Sequence, residues 1–171
     1  MYMRNKGYLA TEEEIQRGLI EESEQVDAFR KLGYIVEVAS EKNNIKYHCD
    51  FYIKNTEKSI KRWGIDAKSY TEKYDNFLIN WDEDYPTYGP LYSRQCSAIS
   101  FLYKGELRIY PTKKMLKLAK EAKADYINHK LTKDSPIKYF PSGINNRSYI
   151  TISRKYVMDY FYIMPPCDKK K

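Results

Sequence analysis

Residues 11–33 constrain the chain most. Thr11 and Glu14 stand at the spacing of a capping box, in which each side chain satisfies a backbone amide of a helix's first turn. Ile15, Leu19, Val26 and Phe29 then recur at the 3.6-residue period of one helical face. Gly33 tolerates the left-handed cap conformation, so the helix is predicted to stop there. One carboxylate interrupts the stripe. Glu22 follows Leu19 and precedes Val26 at helical spacing, which predicts it in the middle of the buried face. An inward carboxylate is costly unless something pairs with it. Glu24 is predicted to point away to solvent. Either Glu22 escapes to water at the rim of the stripe, or the fold brings a partner to it.

A run of strands follows. Residues 34–39 (YIVEVA) have the β-branched content of a strand, and 40–47 are polar. Residues 48–53 (HCDFYI) read as a second strand, with Cys49, Phe51 and Ile53 on one face and Asp50 on the other. Residues 55–61 read as a turn. Residues 62–70 (RWGIDAKSY) read as a third strand, with Ile65 and Ala67 on one face and Asp66 and Lys68 on the opposite one.

These residue types suit phosphodiester hydrolysis. That reaction needs an activated water, stabilised charge on the phosphoryl oxygens and relief of charge on the leaving oxygen. Magnesium or manganese held by hard oxygen ligands supplies all three. A lysine beside the metal orients the water and stabilises the pentavalent phosphorus. Asp50 and Asp66 on paired strands would provide the ligands, and Lys68 shares the face of Asp66. The acid-x-Lys spacing is short and recurs at Glu121-Ala-Lys123 and Asp168-Lys-Lys170, in a predicted helix and in the C-terminal tail. A solvated strand face of alternating charge is the plain alternative for 66–68.

The order helix with Glu22, strand, strand with Asp50, strand with Asp66-Ala67-Lys68 resembles the PD-(D/E)xK nuclease superfamily. Its pattern is most similar to the archaeal-type Holliday-junction resolvases. In those, a helix bearing an early Glu ends at a basic turn with Gly and an aromatic, as from Glu22 to Gly33-Tyr34 here. Asp50-Phe-Tyr-Ile53 matches the acid that precedes apolar strand residues, and Asp66-Ala-Lys68-Ser69 matches acid-x-Lys-Ser. The likeness spans residues 12–70. Cys49 stands where the pattern often has proline, and Asp66 where resolvases usually have Glu.

The resemblance implies an α/β fold with a restriction-endonuclease-like αβββαβ core, a central mixed sheet flanked by helices. It implies a Mg2+ (or Mn2+) dependent deoxyribonuclease, an endonuclease open to structure-specific substrates. Asp50 would bridge the metal, with Asp66 and the Ala67 carbonyl as further ligands. Lys68 would position the water, and Glu22 would bind through water or hold a second metal. DNA is the implied partner, with a homodimer implied by the need to cut two strands. Family members often add a polar residue after the third strand, a part open to Gln95 or Arg94. The alternative is a catalytically inactive nuclease-fold protein serving as a nucleic-acid-binding or protein-interaction module, such as a phage-encoded regulator. Two inward carboxylates argue against it, because without metal they repel phosphate.

Bulk properties fit this reading. The chain has 171 residues, the size of one domain, here 1–164 followed by a basic tail 165–171 that reads as frayed. Net charge of +7 suits a polyanionic partner, or a lysine-rich surface kept soluble by charge. Three scattered cysteines and two histidines do not suit a disulfide framework or a zinc knuckle. No apolar run reaches the roughly 18 residues of a membrane span, and residues 1–14 lack a signal-peptide core, so a cytoplasmic protein is expected. The 18 tyrosines, with abundant Lys, Asn and Ile, suit an AT-rich bacterial or phage genome.

Further along, residues 76–80 read as a short strand and 82–90 as a loop. Residues 97–103 and 106–110 read as a hairpin turning at Lys104-Gly105, with a helix as the alternative for the first arm. Residues 112–129 read as an amphipathic helix with Met115, Leu116, Ala119, Ala122 and Tyr126 inward. Its outer Lys113, Lys117 and Lys120 suit a phosphate backbone or plain solvent. Tyr70, Tyr74, Trp81, Tyr85, Tyr88 and Tyr92 could stack on exposed bases or pack in a core or dimer contact. Residues 148–163 are predicted to add one more strand and an aromatic segment.

Overall fold

The computed structural model of the protein describes residues 11–69, 75–142 and 146–169. The predicted Tyr70, Tyr74, Lys170, the end of the third strand and residues 1–10 lie outside them. Helix α1 runs Glu12–Lys31 with the capping box formed: Thr11 Oγ1 accepts from Glu14 N, and the Glu14 carboxylate accepts from Thr11 N. Gly33 follows at φ +91°, the left-handed geometry expected of it. The stripe is only half covered. Val26 and Phe29 are buried, but Ile15 and Leu19 are 48% and 56% exposed, so the first half of α1 overhangs the sheet.

Strand β1 (Ile35–Val38) is followed by a short helix α2 (Glu41–Tyr47), in a segment read from the sequence only as polar. Ser40 caps it by accepting from Asn43 N, and His48 ends it in the left-handed region at φ 52°. No residue of α2 is buried, so it left no apolar period to read. Strands β2 (Phe51–Lys54) and β3 (Trp63–Lys68) come next, then β4 (Asn76–Asn80), β5 (Cys96–Tyr103) and β6 (Glu106–Pro111). Lys104 and Gly105 both take positive φ at the β5–β6 turn, as a tight hairpin requires. Helix α3 (Thr112–Ile127) precedes β7 (Ile137–Phe140), β8 (Tyr149–Ser153), helix α4 (Arg154–Tyr160) and β9 (Tyr162–Ile163).

The central sheet is mixed, in the order β1-β2-β3-β5-β6-β9. Only β3 and β5 run parallel, and the other neighbours are antiparallel. Their crossover passes through β4 and a loop rather than a helix, and α3 enters after β6. A second antiparallel sheet, β4-β8-β7, was not anticipated. Alternation in β5 divides the core. Ala98 joins Phe51, Ile53 and Ile65 against Val26 and Phe29 of α1. Ile99 and Phe101 face the other way, into a larger core with Phe77, Ile79, Met115, Ala119, Ile150 and Ile152. Burying each such large side chain contributes about 1.5–3 kcal/mol.

Two expectations are corrected. Cys49 does not join Phe51 and Ile53; it precedes β2 and packs on the opposite side with Tyr52 and Cys96. The tail is not frayed along its first residues. Tyr34 Oη donates to Pro165 O at 3.1 Å, and Cys167 N donates to Leu32 O at 2.7 Å.

Gly64 is what allows Cys49 this position. A Cβ there would lie 2.6 Å from Cys49 Sγ and 2.1 Å from the Gln95 carbonyl oxygen. Gly64→Ala is expected to cost about 3 kcal/mol of overpacking, a fall of roughly 6–12 °C in Tm for a chain of this size. Gly18 has no atom within 4 Å of such a Cβ. Gly18→Ala should stabilise α1 by up to about 1 kcal/mol. Thermal melts of the two variants check both signs.

Candidate active site

The β2–β3 register decides the geometry. Phe51 pairs with Ile65 and Tyr52 with Gly64, so Asp50, one residue before β2, stands across from Asp66. Residues directly opposite share a face, so the two carboxylates are neighbours. Both lie on the side of the sheet away from the Phe51 and Ile65 that pack under α1. Asp50 is held at both oxygens: Oδ1 accepts from Asn44 Nδ2 and Oδ2 from Ala67 N, each at 2.7 Å. The unexpected helix α2 supplies Asn44 and so helps to hold Asp50 in place.

Lys68 Nζ stands 2.7 Å from Asp66 Oδ2. Apart from that ion pair, Asp66 Oδ2 is enclosed and accepts no hydrogen bond. Behind the strand, the fully buried Gln25 of α1 donates from Nε2 to Lys68 O at 3.0 Å and accepts from Ser100 Oγ on β5. Gln25 therefore ties helix, β3 and β5 together at the residue that carries the ammonium. Nothing in the periodicity singled it out, because a glutamine on a helix reads as surface. Glu21, four residues before it, also has an enclosed oxygen, Oε2, without a partner.

Electrostatics tie Glu22 to the same place. It is half-buried at the edge of the core, not in mid-stripe, because the stripe's first half is exposed. Burial raises its pKa from 4.5 to about 7, and the Asp50 charge adds to the rise. Burial and the charge of Asp66 raise Asp50 from 3.8 to about 6, against the pull of Lys68 and of the Ala67 and Asn44 hydrogen bonds. Asp66 is raised by burial and by Glu22, against Lys68. Lys68 is raised because its carboxylate neighbours, Asp66 first, outweigh desolvation. Burial lowers His48, which also lies within reach of Lys68 and Asp50. Its Nε2–H donates to Thr87 O at 2.6 Å, closing the site with the 82–95 loop.

The structure thus brings Glu22, Asp50, Asp66 and Lys68 within mutual electrostatic reach. Glu24 is exposed, as expected. The donor chemistry suits a hard divalent cation: three acids against a single lysine. Among the described residues, no three His, Cys, Asp or Glu side chains are gathered closely enough to ligate one ion directly. The other expected contact residues lie elsewhere. Gln95 is part-buried and its Oε1 accepts from Tyr52 Oη at 2.7 Å. Arg94 is exposed. Lys113, Lys117 and Lys120 line an open groove on α3 with Leu116, Glu121 and Ala124. Lys117 pairs there with Glu121 at 3.9 Å. Among the described residues no helix is long and apolar enough to cross a membrane.

No protein-family model and no curated protein matches the chain. Among solved structures, a bacterial homing endonuclease, I-Ssp6803I, is similar at a TM-score of 0.41 and 10% identity, over 63% of this chain and 70% of that one.

The raised acids set a stability profile with a definite sign. Between pH 4 and 7 the folded chain holds protons on Asp50 and Glu22 that the unfolded chain has released. Stability therefore falls as pH rises through that window and levels off above it. For the partly solvated Asp50 the loss is on the order of 2 kcal/mol after allowing for screening. Urea unfolding of the metal-free protein at pH 5, 6.5 and 8 should show this fall, and Asp50→Asn should flatten much of it. Stability that climbs with pH over the same range would contradict the site as described.

Proposed function

We propose that the protein is a divalent-metal-dependent nuclease acting on DNA. The observation that carries this reading is the cross-strand placement of Asp50 beside Asp66, with Lys68 at the end of the same strand against Asp66. Asp50, Asp66 and the Ala67 carbonyl would hold a Mg2+ or Mn2+ ion, with Glu22 reaching it through water. The ion would supply Lewis acidity toward the phosphate and the attacking water.

The protein's own groups do the rest. Lys68 Nζ, held by Asp66 and by the Gln25 contact to its carbonyl, presents a fixed positive charge to the phosphoryl oxygens and a donor that orients the attacking water. The Asn44 and Ala67 donors leave each Asp50 oxygen a second lone pair for a ligand. A net charge of +7 favours the polyanion's approach. Dimerisation would place two such sites on the two strands of a duplex.

A second reading is a nucleic-acid-binding protein of the same fold that does not cut. It is favoured by the absence, among the described residues, of three acids gathered for direct ligation. It requires binding that is indifferent to magnesium.

The test is a titration of MgCl2 or MnCl2 with supercoiled plasmid, linear duplex, single strand and four-way junction. Metal-dependent cleavage is expected, falling about 10³-fold in Asp66→Ala and Lys68→Ala. Glu24→Ala should stay within about twofold of the wild type, because an exposed residue away from such features has little effect. Mg2+ should also raise the Tm of the wild type but not of Asp66→Ala, since a ligand of the folded state stabilises it. Full cleavage by Asp66→Ala or Lys68→Ala would end the assignment.

A further inference from the structure

The loop after β4 forms a second feature beside the site. Of its aromatics, Trp81 is fully buried and Tyr92 packs against the main core, so neither is available to a ligand. Tyr85 is 51% exposed, and the Arg147 guanidinium lies over its ring at 4.0 Å and over the Tyr88 ring at 5.0 Å. No carboxylate among the described residues pairs with Arg147.

Hydrogen bonds tie this cluster to the fold. Buried Asp82 accepts from Asp84 N at Oδ1 and from Ser148 N at Oδ2, both at 3.0 Å, joining the root of the loop to the neighbour of Arg147. Ser148 Oγ donates to Trp81 O at 2.8 Å. Two turns, Tyr85 N to Asp82 O and Tyr88 N to Tyr85 O, fix the rings' backbone. Gly89, at φ +93°, presses against the Asn80 carbonyl so closely that a Cβ would lie 1.9 Å from its oxygen. Thr87, between the two tyrosines, receives the His48 hydrogen bond, and His48 lies within electrostatic reach of Asp50 and Lys68.

A buried aspartate that ties down two tyrosines and an arginine with no carboxylate partner among the described residues, linked through Thr87 and His48 to the carboxylate–lysine site, calls for a ligand with an anionic and a flat aromatic part. A nucleotide has both. In a fully stacked duplex the base faces are covered, so a tyrosine ring or a stacked guanidinium can meet a base face only where the strand is unpaired. The fork edge of an arginine whose flat face rests on a ring remains open to phosphate oxygens. We propose that Tyr85, Tyr88 and Arg147 form a subsite for an unpaired base and its phosphate, so that the DNA strand led to Asp50, Asp66 and Lys68 is locally single-stranded. This rests on the nuclease reading for what the strand does once it arrives.

The test reads binding without cleavage, in EDTA, by fluorescence anisotropy. A single-stranded oligodeoxynucleotide is compared with the fully paired duplex of the same length, for wild type, Tyr85→Ala, Tyr85→Phe and Arg147→Gln. The preference for the single strand over the duplex should fall about tenfold in Tyr85→Ala, as expected for one lost stacking contact. Tyr85→Phe should keep it, since the ring remains. Arg147→Gln should weaken single-strand binding and reduce the salt dependence by about one phosphate contact. An unchanged preference in Tyr85→Ala, or a wild type that binds neither oligonucleotide, overturns the proposal. If plasmid or duplex is cut with magnesium while that preference is unchanged, the nuclease reading stands and this one falls. If nothing is cut while the preference depends on Tyr85, the subsite stands without the nuclease.

Discussion

The pairing of Phe51 with Ile65 is the contact on which the site depends. In a sheet a slip of one residue turns every side chain to the opposite face. Here such a slip would carry Ile65 away from Val26 and Phe29 of α1 and turn Asp66 toward them. The apolar core beneath α1 therefore enforces the register that sets Asp50 beside Asp66. The hydrogen bond from Ala67 N to Asp50 Oδ2 then uses a backbone donor of β3 to lock the acid in place. Packing on one face thus determines chemistry on the other.

That arrangement opposes stability. Burial foremost, and then the neighbouring carboxylate charges that one lysine does not neutralise, make Glu22 and Asp50 hold protons far above the usual carboxylate range. The fold offsets the strain with neutral buried polar contacts around the site. Gln25 accepts from Ser100 Oγ and donates to the Lys68 carbonyl, Asn44 donates to Asp50, and Thr112 Oγ1 donates to Cys96 O at 2.8 Å at the foot of β5. Each such buried bond adds only about 1 kcal/mol net. Their larger effect is to leave the charged groups one conformation to adopt.

How far the residues could be read in advance follows from what each one does. The capping box, Gly33, the tight hairpin at Lys104-Gly105 and strand β4 were legible because their signals are local. The faces of Asp66 and Lys68 were legible because alternation is a property of any strand. Glu22 was legible as an oddity but was placed too deep, since periodicity cannot say where a helix outruns the sheet that covers it. Helix α2, exposed throughout, has no apolar period, and Ser40 alone marks its start. The second sheet joins β4 to β8 across about seventy residues, a pairing no local pattern encodes. Gln25 and Asn44 were invisible because a buried polar residue is recognisable only once its partner is known.

The second sheet gives those unread parts a common purpose. It covers the face of Ile99 and Phe101, the same face that carries Asp66 and Lys68 directly across on β3. Helix α3 shares that face through Met115, Ala119 and Ala122, so helix and second sheet together bury its apolar residues. By burying the neighbouring part of the face, β4, β7 and β8 lower the polarity around the site. By ending β4 at Asn80 they also launch the loop whose Thr87 meets His48. The segment between β3 and β5 thus contributes β4 and the loop that carries Tyr85, Thr87 and Tyr88, while β7, Arg147 and β8 come from the chain beyond α3. A simple helical crossover, as the αβββαβ resemblance implies, would not bring Thr87 to His48.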